Sequence, residues 1–168
     1  LSSLNLEKYD EWKDDPDMIS DVMRFLDNVL SDFINKAPDQ FKDAIYSAER
    51  ERSVGLGVMG FHSFLQKKRI PLESVMAKSW NKKIFKNIHE KVNQASKDLA
   101  EERGACPDAA EYGFKERFSN KTAIAPTASI SIICGGASPG VEPIAANSYT
   151  HKTLSGSFNV RNRYLEEI

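Results

Sequence analysis

The stretch Asn120–Pro143, NKTAIAPTASISIICGGASPGVEP, decides the reading of this chain. Thr122 to Ala125 reads as a short buried strand that Pro126 brings to an end. Thr127, Ala128, Ser129, Ile130 and Ser131 then open a helical turn, closed by Gly135 and Gly136. N–H groups at a helix start carry partial positive charge, and small side chains let an anion come close. Thr127, Ser129 and Ser131 add neutral hydroxyl donors. The same residues also suit a buried turn whose backbone is capped from within. On the residues alone both readings stand.

Upstream of this stretch the pattern is helical. Asp15 followed by Pro16 is a helix start, because a carboxylate caps free N–H groups and proline needs no donor there. Ile19, Val22, Met23, Leu26, Val29, Leu30 and Phe33 recur at three- and four-residue steps, predicting one helix to about Lys36, before Pro38. A second helix is expected from Asp39 to about Glu51, with Phe41, Ile45 and Ala48 inward. A third is expected over Val54–Gln66, apolar nearly all round and therefore buried. The fourth carries the clearest stripe, Trp80, Ile84, Ile88, Val92, Ala95 and Leu99, and Gly104 supplies its stop. Downstream, Asn147–Leu154 reads as a strand, and the closing RNRYLEEI as a helix just under way. Helices feeding short strands and glycine-rich loops after residue 120 indicate an α/β fold, helix-rich in its first two thirds. No internal repeat, charge block or low-complexity tract interrupts it.

Composition narrows the function classes. The 168 residues are 40% hydrophobic and 28% charged, an ordinary globular balance. Lys and Arg number 23 against 24 acidic residues, for a net charge of -1, so the basic excess of a phosphate-gripping nucleic-acid binder is missing. No apolar run approaches the roughly 20 residues of a membrane span, and LSSLNLEKYD carries no secretory signal pattern. Two cysteines are too few for a disulfide framework or a cysteine-only zinc site. A soluble, cytoplasmic chain is expected, with neither membrane nor nucleic acid as partner. Its two ends read as cut from something longer, since Leu1 is no initiator and the last helix has no stop signal.

Several literal motifs are set aside. Gly55-Leu56-Gly57-Val58-Met59-Gly60 matches the dinucleotide fingerprint, but that motif needs a buried strand before it and a phosphate-facing helix after it. The preceding residues, AERERS, are charged and helical, so the glycines are read as close-packing positions inside the third helix. His151-Lys152-Thr153 lacks the glycines of a phosphate loop. Asn120-Lys121-Thr122 is a glycosylation pattern without meaning in a cytoplasmic protein. His62 and His89 read as core-edge and surface residues, and the dispersed histidines and cysteines make no metal site. Cys106 and Cys134 are taken as buried structural thiols.

With these residues in view, a resemblance emerges. NKTAIAPTASISIICGGASPGVEP, followed by ANSYTHKTLSGSFNVRNRYLE, resembles the large (α) subunit of class I ribonucleotide reductase. So do RSVGLGVMGFHSFL at 52–65, the ERGACP segment and LSSLNLEKYD, so that the likeness spans essentially the whole chain. It implies residues 1–168 as part of a ten-stranded α/β catalytic barrel. In that family a thiyl radical abstracts the ribose 3′-hydrogen, a cysteine pair reduces the 2′-carbon, and a Pro-Thr/Ser-x-Ser/Thr loop holds the substrate diphosphate. The loop falls on Pro126, Thr127, Ala128, Ser129 and Ile130, with Ser131 beside them. The radical cysteine, its Asn and Glu helpers and the redox cysteines lie upstream in the family. No catalytic residue is therefore assigned here, and neither Cys106 nor Cys134 matches a redox position. The ATP-cone, the specificity site and the radical-transfer tyrosines are likewise absent from the match.

The resemblance implies no cofactor held by this chain itself. The complete enzyme is expected to use a radical-generating small subunit, thioredoxin or glutaredoxin, and ATP or deoxynucleotide effectors. Its partners would be the ribonucleoside diphosphate substrate, the small subunit and the rest of the large subunit. Two rival readings come from other classes: a free-standing phosphate- or nucleotide-binding module, and a purely structural piece stable only when docked on its other half.

Overall fold

The chain enters the fold through a strand that its sequence does not announce. In the computed structural model, which describes residues 1–153 and 156–165, Ser2–Asn5 forms β1. Asn5 then turns the chain, its Oδ1 accepting from Glu7 N at 3.0 Å, into a short helical turn at Leu6–Lys8 and α1, Tyr9–Trp12. α2, Met18–Lys36, begins as expected: Asp15 Oδ1 accepts from Asp17 N and Met18 N at 2.9 and 3.1 Å. It stops before Pro38, as the periodicity predicts. α3, Lys42–Glu51, follows a turn at Asp39–Phe41. Its expected inward face is shallow, with Phe41 49% exposed and Ile45 and Ala48 only half-buried.

The expected third helix is a correction. Leu56–Met59 is strand β2, Gly60 turns the chain at φ 78°, and only Phe61–Lys67 is helical, as α4. Every residue of β2 is buried, because it lies in the middle of parallel neighbours and must be apolar on both faces. On one side it pairs with β1 in parallel, from Ser2 opposite Leu56 to Asn5 opposite Met59. On the other, Leu56 N donates to Lys121 O at 3.0 Å and Ala123 N to Leu56 O at 3.3 Å. The strand expected at Thr122–Ala125 is reduced to this single bridge at Thr122. Pro126 follows closely, and among the described residues nothing pairs with its far edge.

The long helix α5, Val75–Arg103, starts where Ser74 Oγ accepts from Ala77 N at 3.1 Å and ends at Gly104. Its stripe of Ile84, Ile88, Val92, Ala95 and Leu99 is buried as expected and joins Met23 and Leu26 of α2, with Val58 of β2, in one core. α6, Pro107–Glu111, and α7, Ala128–Ile133, complete the helices. β3, Ser148–Thr153, pairs antiparallel with β4, Gly156–Arg161, so the expected strand from Asn147 is present; Leu154 lies outside the described residues. A short turn at Arg163–Leu165 stands where a last helix was expected, and 166–168 lie outside the described residues. Cys106 is buried, but Cys134 is exposed because it lies where α7 gives way to the glycine reversal.

A buried ionic node knits these helices together. Asp27 of α2 has no exposure, and its carboxylate accepts from Arg52 at 2.7 Å, Arg103 at 2.8 Å and Arg117 at 2.9 Å. Burial alone would raise its pKa, but hydrogen bonds from Arg117, Arg103 and Arg52 outweigh burial and hold it below the usual carboxylate range. Glu102 shares the positive charge, paired with Arg24 and Arg103.

Candidate functional site

Pro126 to Ser131 come together at the start of α7. Thr127 occupies the N-cap position at φ 53°, a left-handed conformation that costs a β-branched residue energy and therefore needs outside support. Support comes from Gly140, whose N–H donates to Thr127 Oγ1 at 2.7 Å. A threonine here ordinarily caps its own helix. This one does not, because its oxygen is turned to Gly140. The first helical bond is Ser131 N to Thr127 O at 3.0 Å, so the N–H groups of Ala128, Ser129 and Ile130 have no intrahelical acceptor.

Those three residues are exposed, as is Pro126, while Thr127 is half-buried. The hydroxyl of Ser129 is thus open to solvent, and Thr127 keeps its own hydroxyl proton to donate. Ser131 is placed differently. It is buried, its Oγ donates to Ala128 O at 3.2 Å, and its carbonyl accepts from Gly136 N at 3.0 Å and Ala137 N at 3.1 Å. It shapes the loop from inside while the other residues face outward. The result is a neutral, donor-rich helix start suited to an anion, built of backbone and hydroxyls.

The loop is tied to the rest of the fold at several points. Asn5 Nδ2 donates to Cys134 O at 3.3 Å, and Arg163 Nη1 to Gly135 O at 2.8 Å. Arg163 also pairs with Glu7, which accepts from Tyr164 Oη at 2.9 Å. Burial and this hydrogen bond push the Tyr164 hydroxyl up to about 12. His62, half-buried on α4, accepts from Ile144 N at Nδ1 over 3.3 Å, and burial lowers its pKa. A cavity of about 220 Å³ lies behind α7, lined by Ser63, Ser131, Ala137, Tyr149 and Tyr164.

The Gly55–Gly60 motif is no phosphate loop, though the reason differs from the expected one. A strand is present, but it is the motif itself, and α4 behind it is covered by protein. A Cβ at Gly60 would lie 2.8 Å from Asn5 Oδ1, and Gly60 N donates to Ser138 O at 2.7 Å. Sequence reasoning passed over Gly140, Ser63 and Ser138. These residues meet the loop only through the fold, and nothing in their local sequence marks them. Among the described residues no group of three His, Cys, Asp or Glu side chains stands close enough to hold a metal.

A parallel strand pair flanked by helices, extended by a bridge at Thr122, is the arrangement of an α/β barrel segment. The ribonucleotide reductase barrel-domain model matches residues 1–116 and 108–168, and the chain belongs to that family. It is 52% identical over all of its length to the ribonucleoside-diphosphate reductase large subunit of Invertebrate iridescent virus 6, of which it covers 17%. It is 39% identical to the vitamin B12-dependent ribonucleoside-diphosphate reductase of Thermoplasma acidophilum, over 93% of this chain and 21% of that protein. The solved class Id ribonucleotide reductase alpha subunit of Actinobacillus ureae superposes with a TM-score of 0.86 at 38% identity, covering 98% of this chain and 30% of that one. The fold is therefore part of the reductase barrel, helix-rich and α/β as expected, and the chain spans less than a third of each of these relatives.

Proposed function

We propose that this chain, residues 1–168, is a piece of the catalytic barrel of a ribonucleoside-diphosphate reductase and supplies its substrate diphosphate loop. One observation carries the reading: Thr127 gives its side chain to Gly140 and leaves the N–H groups of Ala128, Ser129 and Ile130 open at an exposed helix start. A diphosphate would accept from these N–H groups and from the Thr127 and Ser129 hydroxyls. Ser131 would hold the loop from behind. The radical chemistry and the reducing dithiol belong to the rest of the large subunit. A radical-generating small subunit is the partner this reading favours, supported by the large-subunit name of the 52% identical viral relative. Thioredoxin or glutaredoxin and nucleotide effectors would act on the complete enzyme, in the cytoplasm, in the supply of DNA precursors.

Titration of the ¹⁵N-labelled chain with pyrophosphate and with a ribonucleoside diphosphate tests the reading. Amide shifts concentrated at residues 127–131 are expected, and Ser129→Asp should abolish them by bringing a like charge into the site. Shifts confined to other regions would refute it.

A further inference from the structure

Ser63 of α4 and Ser138, just after the glycine reversal, are almost fully enclosed, at 3% and 1% exposure. Each hydroxyl accepts the other's N–H: Ser63 Oγ from Ser138 N at 2.8 Å, and Ser138 Oγ from Ser63 N at 3.1 Å. The Ser138 carbonyl also accepts from Gly60 N at 2.7 Å. Gly60 stands at the N-cap of α4 and has no side chain with which to cap it. The cap is supplied by Ser138, whose Oγ accepts from Ser63 N across 75 residues of sequence.

The segment around Ser138 is fastened to α7 at both ends. Before it, Gly136 N and Ala137 N donate to Ser131 O; after it, Gly140 N donates to Thr127 Oγ1. Ser138 is thus a link through which the first turn of α7 takes its position relative to β2 and α4. An alanine at either serine would fill nearly the same volume, so what the hydroxyls contribute is hydrogen bonding and the geometry it imposes.

We propose that Ser63 and Ser138 are positioning residues for the diphosphate loop. They hold the open N–H groups of Ala128, Ser129 and Ile130 at a fixed setting against the barrel strand and touch no ligand themselves. The inference rests on the diphosphate reading above and adds the residues that set that site's geometry.

The test uses the full ¹⁵N-labelled chain, with pyrophosphate as the probe. Ser63→Ala and Ser138→Ala are each expected to shift the Ala128–Ile130 amides without ligand and to raise the pyrophosphate Kd about fivefold to tenfold. Ser63→Ala removes only the acceptor of Ser138 N and leaves the α4 cap in place, so a folding failure of Ser138→Ala, which uncaps α4, leaves the test intact. Combined, the two changes should cost less than the product of the single effects, because the first break already loosens the link. Ile84→Val, which trims the fully buried core of α5, serves as the stability control and should move neither quantity. Unmoved Ala128–Ile130 amides in both serine variants would overturn the positioning role whether or not pyrophosphate binds. An equal Kd rise in Ile84→Val would overturn it by reassigning the effect to stability. Variant-induced shifts with no wild-type response to pyrophosphate would overturn the diphosphate reading, and the positioning role with it; the ligand-free spectra tell the two failures apart.

Discussion

Asp27 illustrates how one buried charge organises several elements. Its carboxylate is shared by Arg52, Arg103 and Arg117, which come from the end of α3, the end of α5 and the segment beyond α6. Asp27→Asn keeps the shape and removes the charge, leaving these guanidinium groups without their common counter-ion. A loss of about 3–5 kcal/mol in urea-unfolding stability is expected, and a loss below about 1 kcal/mol would show the node to be dispensable. His62 provides a pH-dependent counterpart. Its folded pKa is depressed below the ordinary 6.5 by burial, so the unfolded chain binds the extra proton first as pH falls. The stability it contributes is present above that ordinary value and is lost as pH falls toward the folded one. Unfolding at about pH 7.5 and about pH 5.5 should show a larger loss on acidification for wild type than for His62→Asn. Equal losses would disconnect His62 from the effect.

The helices were legible because an amphipathic stripe and its caps are local properties. Asp15, Ser74 and Gly104 mark the ends of α2 and α5 as their chemistry requires. The buried strand β2 was not legible. A short run that is apolar on both faces suits a central parallel strand as well as a buried helix, and periodicity does not separate the two. The glycines held the missing information. A Cβ at Gly57 would run into the Ala123 carbonyl oxygen, so this glycine permits the close approach of β2 to the chain at 121–123. Gly57→Ala is therefore expected to force these segments apart, at a cost of about 2 kcal/mol in thermal or urea unfolding. Exchange protection at Leu56 N and Ala123 N should fall with it. Unchanged protection would show that the contact relaxes freely.

β2 has neighbours on both sides, whereas β1 and the segment at 121–123 each present an outer edge with no pairing among the described residues. Large apolar side chains also face outward, Phe25 at 63% and Ile133 at 83% exposure. Such edges and faces favour association with further chain. No helix among the described residues is long and apolar enough to cross a membrane. Neither Cys106, buried before α6, nor Cys134, exposed after α7, has a second thiol beside it in sequence. Radical reduction needs a dithiol and a closed, dry cavity. The chain alone, given thioredoxin and a radical-generating small subunit, is therefore expected to make no deoxynucleotide. Product formation by the chain alone would overturn the proposed division of labour. Activity restored only on adding the rest of a large subunit would support it.

The helix faces, their capped ends and the small-residue loop after Pro126 are written in consecutive residues, and so is the family likeness that spans them. Patterns of this kind depend on neighbours within one or two turns, so they survive without knowledge of the fold. The diversion of Thr127 to Gly140, the Ser63–Ser138 exchange and the three arginines around Asp27 depend on partners 13, 75 and up to 90 residues apart. Hydrogen bonds between such distant residues carry no periodicity, and only the packed chain determines which donor meets which acceptor.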